Sequence, residues 1–163
     1  MQLYPEYISR KFDTDNIAVN CMKNIIDDIH APLQLGESML TLLVDHGKRM
    51  YLLDLLLPDA KEEIKLGYTK TQLEAVKKSE GFIWNYFNEN NLLFEADLLK
   101  IRSFVTDGPS TAEFGWGSPG FISLYTGRQL IRAYMKKHPE TSLNALLALD
   151  ANKILSGAGY KPR

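Results

Sequence analysis

Residues 35–57 read LGESMLTLLVDHGKRMYLLDLLL and stop at Pro58. Apolar side chains recur here at 4-3 spacing, Met39, Leu43, Met50, Leu53 and Leu57, with His46 on the same seam. That spacing predicts a helix from about Leu35 to Leu57 with one face in the core. The middle of the stretch conflicts with it. Asp45-His46-Gly47-Lys48-Arg49 puts five successive polar or bare residues around the helix, each about 100° from the last. Whichever face is buried must therefore meet one of them. The seam assigns His46 to the interior, with Gly47 beside it.

The rest of the chain has the same period. Ile17, Cys21, Ile25 and Ile29 recur every four residues, with Met22 and Ile26 beside them, and predict a helix from about Asp15 to Ile29 with that stripe inward. Asp59 to Lys65 reads as a short helix closed by Gly67. Thr69-Lys70-Thr71-Gln72 is a capping box. It opens a helix to about Phe87 whose stripe is Leu73, Val76, Glu80, Ile83, Trp84 and Phe87. Another helix is expected from Asp97 to about Val105. Thr106 to Gly120 is a Gly/Pro-rich loop carrying Phe114 and Trp116. A loop this long is functional or is pinned by its aromatics. Ser118-Pro119 reads as an N-cap with proline at the first helical position, opening a helix to about Lys137. Leu143 to Leu149 and a short helix capped by Asp150 and ending at Ser156-Gly157 complete the chain. No strand alternation, hairpin signal or repeat interrupts this. The fold class expected is all-α, one multi-helix domain spanning residues 1–163.

Composition narrows function without naming it. The 163 residues carry 19 Lys and Arg against 20 Asp and Glu, a net charge of −1, which argues against a nucleic-acid or polybasic membrane binder. A hydrophobic content of 45% is enough for a core and too high for a disordered chain. One cysteine, Cys21, excludes a disulfide framework and a Cys-rich zinc module. Apolar runs reach about five residues, far short of the roughly 20 that span a bilayer. Met1 to Arg10 contains no apolar run of signal-peptide length.

Several side chains invite a chemical reading. His46 could act as a ligand or an acid–base group, but His30 and His138 are the other histidines and no i,i+4 pair exists. A buried imidazole bonded to a carbonyl or to a carboxylate of another helix is the simpler reading. Asp45 and Arg49 form an i,i+4 pair. Arg128, Arg132 and Lys136 share a face and suit either an anion or structural ion pairs. Glu80 is a candidate partner for Arg128 or Arg132 across the core. Ser110, Ser118 and Ser123 have no histidine near them in sequence and no nucleophile-elbow context.

Four groups of residues together resemble the gliding-motility lipoprotein family, GldB type, of Bacteroidetes. Lys48-Arg49-Met50-Tyr51-Leu52-Leu53-Asp54 with Leu57-Pro58-Asp59 is similar to that family's GK-x-x-Y-F-L-D … LP helix. Gly67-Tyr68-Thr69, Gln72-Leu73 and Ile83-Trp84-Asn85-Tyr86-Phe87 resemble its GYT-x-x-QL … IW-x-YF segment. Ser118-Pro119-Gly120 and Gly127 to Met135 resemble SPG … G-x-QIVR-x-YM. Leu143 to Asp150 and Tyr160 to Arg163 match the tail.

The resemblance implies a zincin-like architecture of which this chain is the helical, C-terminal half. It also implies a place in the cell envelope or periplasm, a protein partner there, and members about twice this length. It implies no cofactor, because His-Glu-x-x-His, the zinc-binding and general-base motif, is absent. His46 stands where peptidase-like relatives would carry an acidic ligand, and Asn20 where the family often has aspartate. The expectation is a non-catalytic interaction domain. Its candidate pocket is Asp45, His46, Gly47, Lys48, Tyr51, Trp84, Trp116, Gly127, Arg128 and Arg132. The alternative is a divergent zinc hydrolase with Asp45, His46 and Glu113 as ligands.

Overall fold

Eleven of the eighteen residues of helix α3 (Met39–Leu56) are buried, on every side of it, so it must lie inside a shell of other helices. Ser38 caps its N-terminus, its side chain accepting from the Thr41 amide, so the helix begins four residues after Leu35. The computed structural model describes residues 4–163; the expectation for Met1 to Arg10 lies partly on residues 1–3, outside the described residues. Ten α-helices and no strand occur among the described residues, and the fold is all-α around one core. No helix among them is long and apolar enough to cross a membrane.

The main partner of α3 is α8 (Ser123–Lys137), which runs against it over most of its length. Two glycines set this crossing. A Cβ on Gly47 would lie 2.3 Å from the Gly127 carbonyl oxygen, and one on Gly127 would lie 2.0 Å from that of Leu43. Any side chain here would push the two backbones apart. Around this pair lie α2 (Ile17–Ile29), α4 (Glu62–Leu66), α5 (Lys70–Lys78), α6 (Glu80–Glu89), α7 (Leu98–Val105), α9 (Leu143–Ala148) and α10 (Ala151–Ala158), while the short α1 (Glu6–Ser9) has no buried residue.

Caps read from sequence are present. Gly67 closes α4 at φ 72°, and Thr69 and Gln72 bond each other's backbones at the start of α5. Asp97, Ser142 and Asp150 cap α7, α9 and α10. Gly159 at φ 50° closes α10, two residues beyond the expected end.

Three expectations are corrected. The helix predicted from Thr69 to Phe87 is two, kinked at Ser79, whose backbone leaves the helical region at φ −101°, ψ 10°. Ser118 does not cap α8, which starts at Ser123. Its hydroxyl instead lies 2.6 Å from the Gly115 carbonyl and 3.0 Å from that of Thr111, and accepts from the Thr111 amide, tying off the 106–120 loop. Phe114 anchors the same loop among Phe82, Tyr86, Phe87 and Phe104, whereas Trp116 is 89% exposed.

The third correction concerns α2. Its buried residues are Val19 and Ile26, with Met22 packed beside them. Ile17, Ile25 and Ile29 are 59, 48 and 56% exposed, and Cys21 is exposed with them. The expected inward stripe faces out. The helix is apolar over more than half its circumference, and only the Val19/Met22/Ile26 arc enters the core.

Candidate functional site

The residues singled out on α3 and α8 diverge. Asp45 Oδ1 lies 2.8 Å from Nε2 of His30, at the end of α2. Burial raises the Asp45 carboxyl, and the His30 charge opposes that. Arg49 donates to the His30 carbonyl and pairs with Asp27 rather than Asp45. Lys48 donates to the carbonyls of Leu147 (3.0 Å) and Leu149 (2.7 Å), so its ammonium closes the C-terminus of α9. Tyr51 is half-buried against the core, and Trp84 is buried with its ring edge-on to Tyr160. Glu113 is exposed and accepts from Ser103. Asp45, His46 and Glu113 thus have separate neighbours, and no group of three His, Cys, Asp or Glu among the described residues could hold a metal.

Arg128 is 2% exposed and carries the densest ion cluster. Its Nε and Nη2 grip Asp54 at 2.7 and 2.8 Å, a bidentate pair, and Nη1 reaches Glu62 at 2.5 Å. Lys65 (2.8 Å) and Arg132 (2.9 Å) complete the shell of Asp54, and Lys77 pairs with Glu62. Burial alone would raise the Asp54 carboxyl; hydrogen bonds from Arg128 and Lys65 and the arginine charges outweigh it and hold it below its usual range. The arginine face is an ion-paired framework joining α3, α4, α5 and α8. Glu80 is not its partner. That carboxylate accepts from the phenols of Tyr125 (2.6 Å) and Tyr160 (2.5 Å), and Gln129 stands at 3.3 Å.

Residues that carry the family resemblance are therefore occupied by the framework. Gly127 makes the crossing, Lys48 caps α9, Asp54 and Arg128 pair, Thr69 and Gln72 box α5, and Ser118 ties the loop.

His46 leads to a cavity that has polar groups beside an apolar wall. Its Nδ1 lies 2.8 Å from the Ser123 hydroxyl, and the Phe121 ring stands edge-on at 4.8 Å. The imidazole bonds neither a carbonyl nor a carboxylate, as the sequence reading expected, but a serine 77 residues away. Burial pushes its pKa down to about 4, so it is neutral at pH 7. Ser123 is fully buried, at 0% exposure. Phe121 holds a left-handed backbone at φ 55°, unusual for a bulky side chain, and its carbonyl accepts from Tyr68 at 3.1 Å.

Beside this contact, between α2 and α3, lies a cavity of about 330 Å³. Ile26, Met50, Leu53, Leu66 and Leu124 line its apolar part. Lys11, Lys23, Asp27, Arg49, Asp107 and His46 bring its polar groups. Sequence reading missed Lys11, Lys23 and Asp107 because they come from three separate segments. The available signal was Lys23 alone, a cation one step off the buried arc of α2.

Outside this cavity α2 shows its second feature. Ile17, Cys21, Ile25 and Ile29 form an exposed row on α2, and Leu33 and Leu35, in the segment after it, are exposed as well. Every exposed charged side chain from Phe12 to Glu37 is acidic: Asp13, Asp15, Asp28 and Glu37.

No curated protein and no solved structure matches the chain. A family model described as "Gliding motility protein GldB" matches residues 1–162. With nearly the whole chain so matched, the protein belongs to the GldB gliding-motility lipoprotein family.

Proposed function

We propose that this chain is a non-catalytic interaction module of the gliding-motility machinery in the cell envelope, and that it docks a partner protein through the outer face of α2. The observation that carries this is the exposed row Ile17, Cys21, Ile25 and Ile29 at four-residue spacing on one helix, with Leu33 and Leu35 also exposed in the segment that follows. Contiguous apolar surface of this kind marks an interaction site, whereas a scattered exposed leucine marks nothing. An amphipathic partner helix fits such a row through its own apolar positions.

Charge favours one kind of partner. The acidic side chains around the row, Asp13, Asp15, Asp28 and Glu37, have no exposed lysine or arginine among them between Phe12 and Glu37. They complement a basic rim, repel an anionic lipid surface and repel a second copy of the same face. The non-catalytic reading is supported by Asp45, Lys48, Asp54 and Arg128, each engaged in the framework, and by the burial of the Ser123 hydroxyl that His46 bonds.

A direct test is fluorescence anisotropy with an amphipathic helical peptide bearing a leucine stripe between lysine and arginine flanks. Saturable binding, weakened by salt and lost in the double variant Ile25→Ser/Ile29→Ser, is the expected result. Both residues are exposed, so the fold should survive the change. Equal binding of an acid-flanked peptide, binding unchanged in the variant, or preference for phosphatidylglycerol vesicles over the peptide would overturn the proposal.

A further inference from the structure

The inner side of α2 supports a separate inference, independent of any partner on its outer face. We propose that the cavity between α2 and α3 binds a small monocarboxylate with an apolar tail, its carboxylate resting on the Lys23 ammonium.

Each polar group on the cavity wall except one has its partner in the fold. Lys11 pairs with Asp107 at 2.6 Å. Arg49 pairs with Asp27 and donates to the His30 carbonyl. His46 bonds Ser123 and is uncharged. Lys23 makes no hydrogen bond and no ion pair among the described residues. Two of the three cations are thus balanced by two carboxylates, and one positive charge is left over, on an amine largely withdrawn from water. Burial, and then the neighbouring Lys11 charge, lower the Lys23 pKa to about 8, against a weaker pull from Asp107, whose carboxylate is bonded to Lys11. An ammonium largely withdrawn from water with no direct partner is costly, and an anion placed against it reduces that cost.

The excess of one charge sets the ligand's charge. A carboxylate neutralises it, whereas a phosphate dianion would leave a net negative charge against an apolar wall. The wall sets the rest. Ile26, Met50, Leu53, Leu66 and Leu124 offer hydrocarbon contact and nothing to bond. At about 330 Å³ the cavity lies at the small end of ligand pockets, which suits a medium-length chain and not a long one. The carboxylate could come from a free fatty acid or from the C-terminus of an apolar peptide. The two share one chemistry, and the test separates them.

Calorimetric titration of the full chain uses sodium decanoate, a Leu-rich tetrapeptide with a free C-terminus, and 1-decanol, each up to about 1 mM, a range that detects binding energies beyond about −4 kcal/mol. One carboxylate should saturate a single site, and whichever does so identifies the source. The alcohol should bind at least about tenfold more weakly, a difference of about 1.4 kcal/mol. Lys23→Met keeps the length and removes the charge and should cost a similar factor, while Lys23→Arg should retain most of the affinity. In the unaltered chain the bound carboxylate should slow reductive methylation of Lys23, read by peptide mass spectrometry. That measurement decides the matter even if the methionine variant folds poorly. The proposal falls if neither carboxylate saturates, if decanol binds equally well, or if Lys23 reacts at the same rate with and without ligand.

Discussion

Replacing Gly127 by alanine adds one methyl group at the crossing of α3 and α8. It would sit 2.0 Å from the Leu43 carbonyl oxygen, 2.9 Å from the Gly47 amide nitrogen and 3.1 Å from the Gly47 Cα. All three are backbone atoms, so no side-chain rotation relieves the contact. Reaching even the 3.0 Å limit of real Cβ contacts requires the helices to separate by about 1 Å. The helix that must move is α3, packed on all sides, so separation here loosens contacts throughout the core. Overpacking costs about 1–3 kcal/mol where side chains can adjust, and a backbone collision belongs at the top of that range. Alanine's better helix propensity returns about 1 kcal/mol. The net loss is then about 2 kcal/mol or more, a fall in melting temperature of about 4–8 °C for a chain of this size. Thermal unfolding followed by circular dichroism measures it. Gly117→Ala is the control, because nothing lies within 4 Å of a Cβ there. If Gly127→Ala melts with the unaltered protein, or above it, the glycine crossing does not set the helix spacing.

Arg128→Met leaves Asp54 with Lys65 and Arg132 and Glu62 with Lys77, and should cost about 3 kcal/mol in urea unfolding. His46 has a folded pKa of about 4 against 6.5 unfolded, so its contribution is full above pH 6.5 and is lost as the pH falls through 4. That is up to about 3 kcal/mol. His46→Gln should lose correspondingly less stability than the unaltered chain between pH 7 and pH 4, and a proton NMR titration should place the imidazole midpoint near 4. On α2, Ile26→Ala should destabilise by about 2 kcal/mol, the low end because a cavity adjoins it, while Ile25→Ala should change stability by less than about 0.5 kcal/mol.

The helical architecture was legible because its signals are local. The seam of α3, the Thr69/Gln72 box and the caps at Gly67, Asp97, Ser142 and Asp150 each need a few residues of context. The orientation of α2 was not. Ile17/Cys21/Ile25/Ile29 and Val19/Met22/Ile26 are both apolar arcs, and only the position of α3 decides between them. Ser118 illustrates the same limit. Ser-Pro is a sound N-cap signal, yet here the hydroxyl ties the loop through Thr111, seven residues upstream.

The site was less legible than the fold for a related reason. The conflict at Asp45–Arg49 correctly marked a crowded region, but the sequence cannot show that Gly47 faces Gly127, that His46 faces Ser123, or that Lys48 reaches the end of α9. The motifs that carried the family resemblance belong to the scaffold. The cavity is built from Lys11, Lys23, Asp107 and Phe121, distant in sequence and in no shared pattern.

Cys21 provides the most direct test of the central claim, that the outer face of α2 is covered by a partner in the cell. It is the chain's single cysteine and stands exposed within that row. Its alkylation rate can be compared between the purified chain and the chain in its native assembly, solubilised without denaturation. Docking on this face predicts alkylation several-fold slower in the assembly, restored to the purified rate by Ile25→Ser/Ile29→Ser. Equal rates in the two preparations would contradict it.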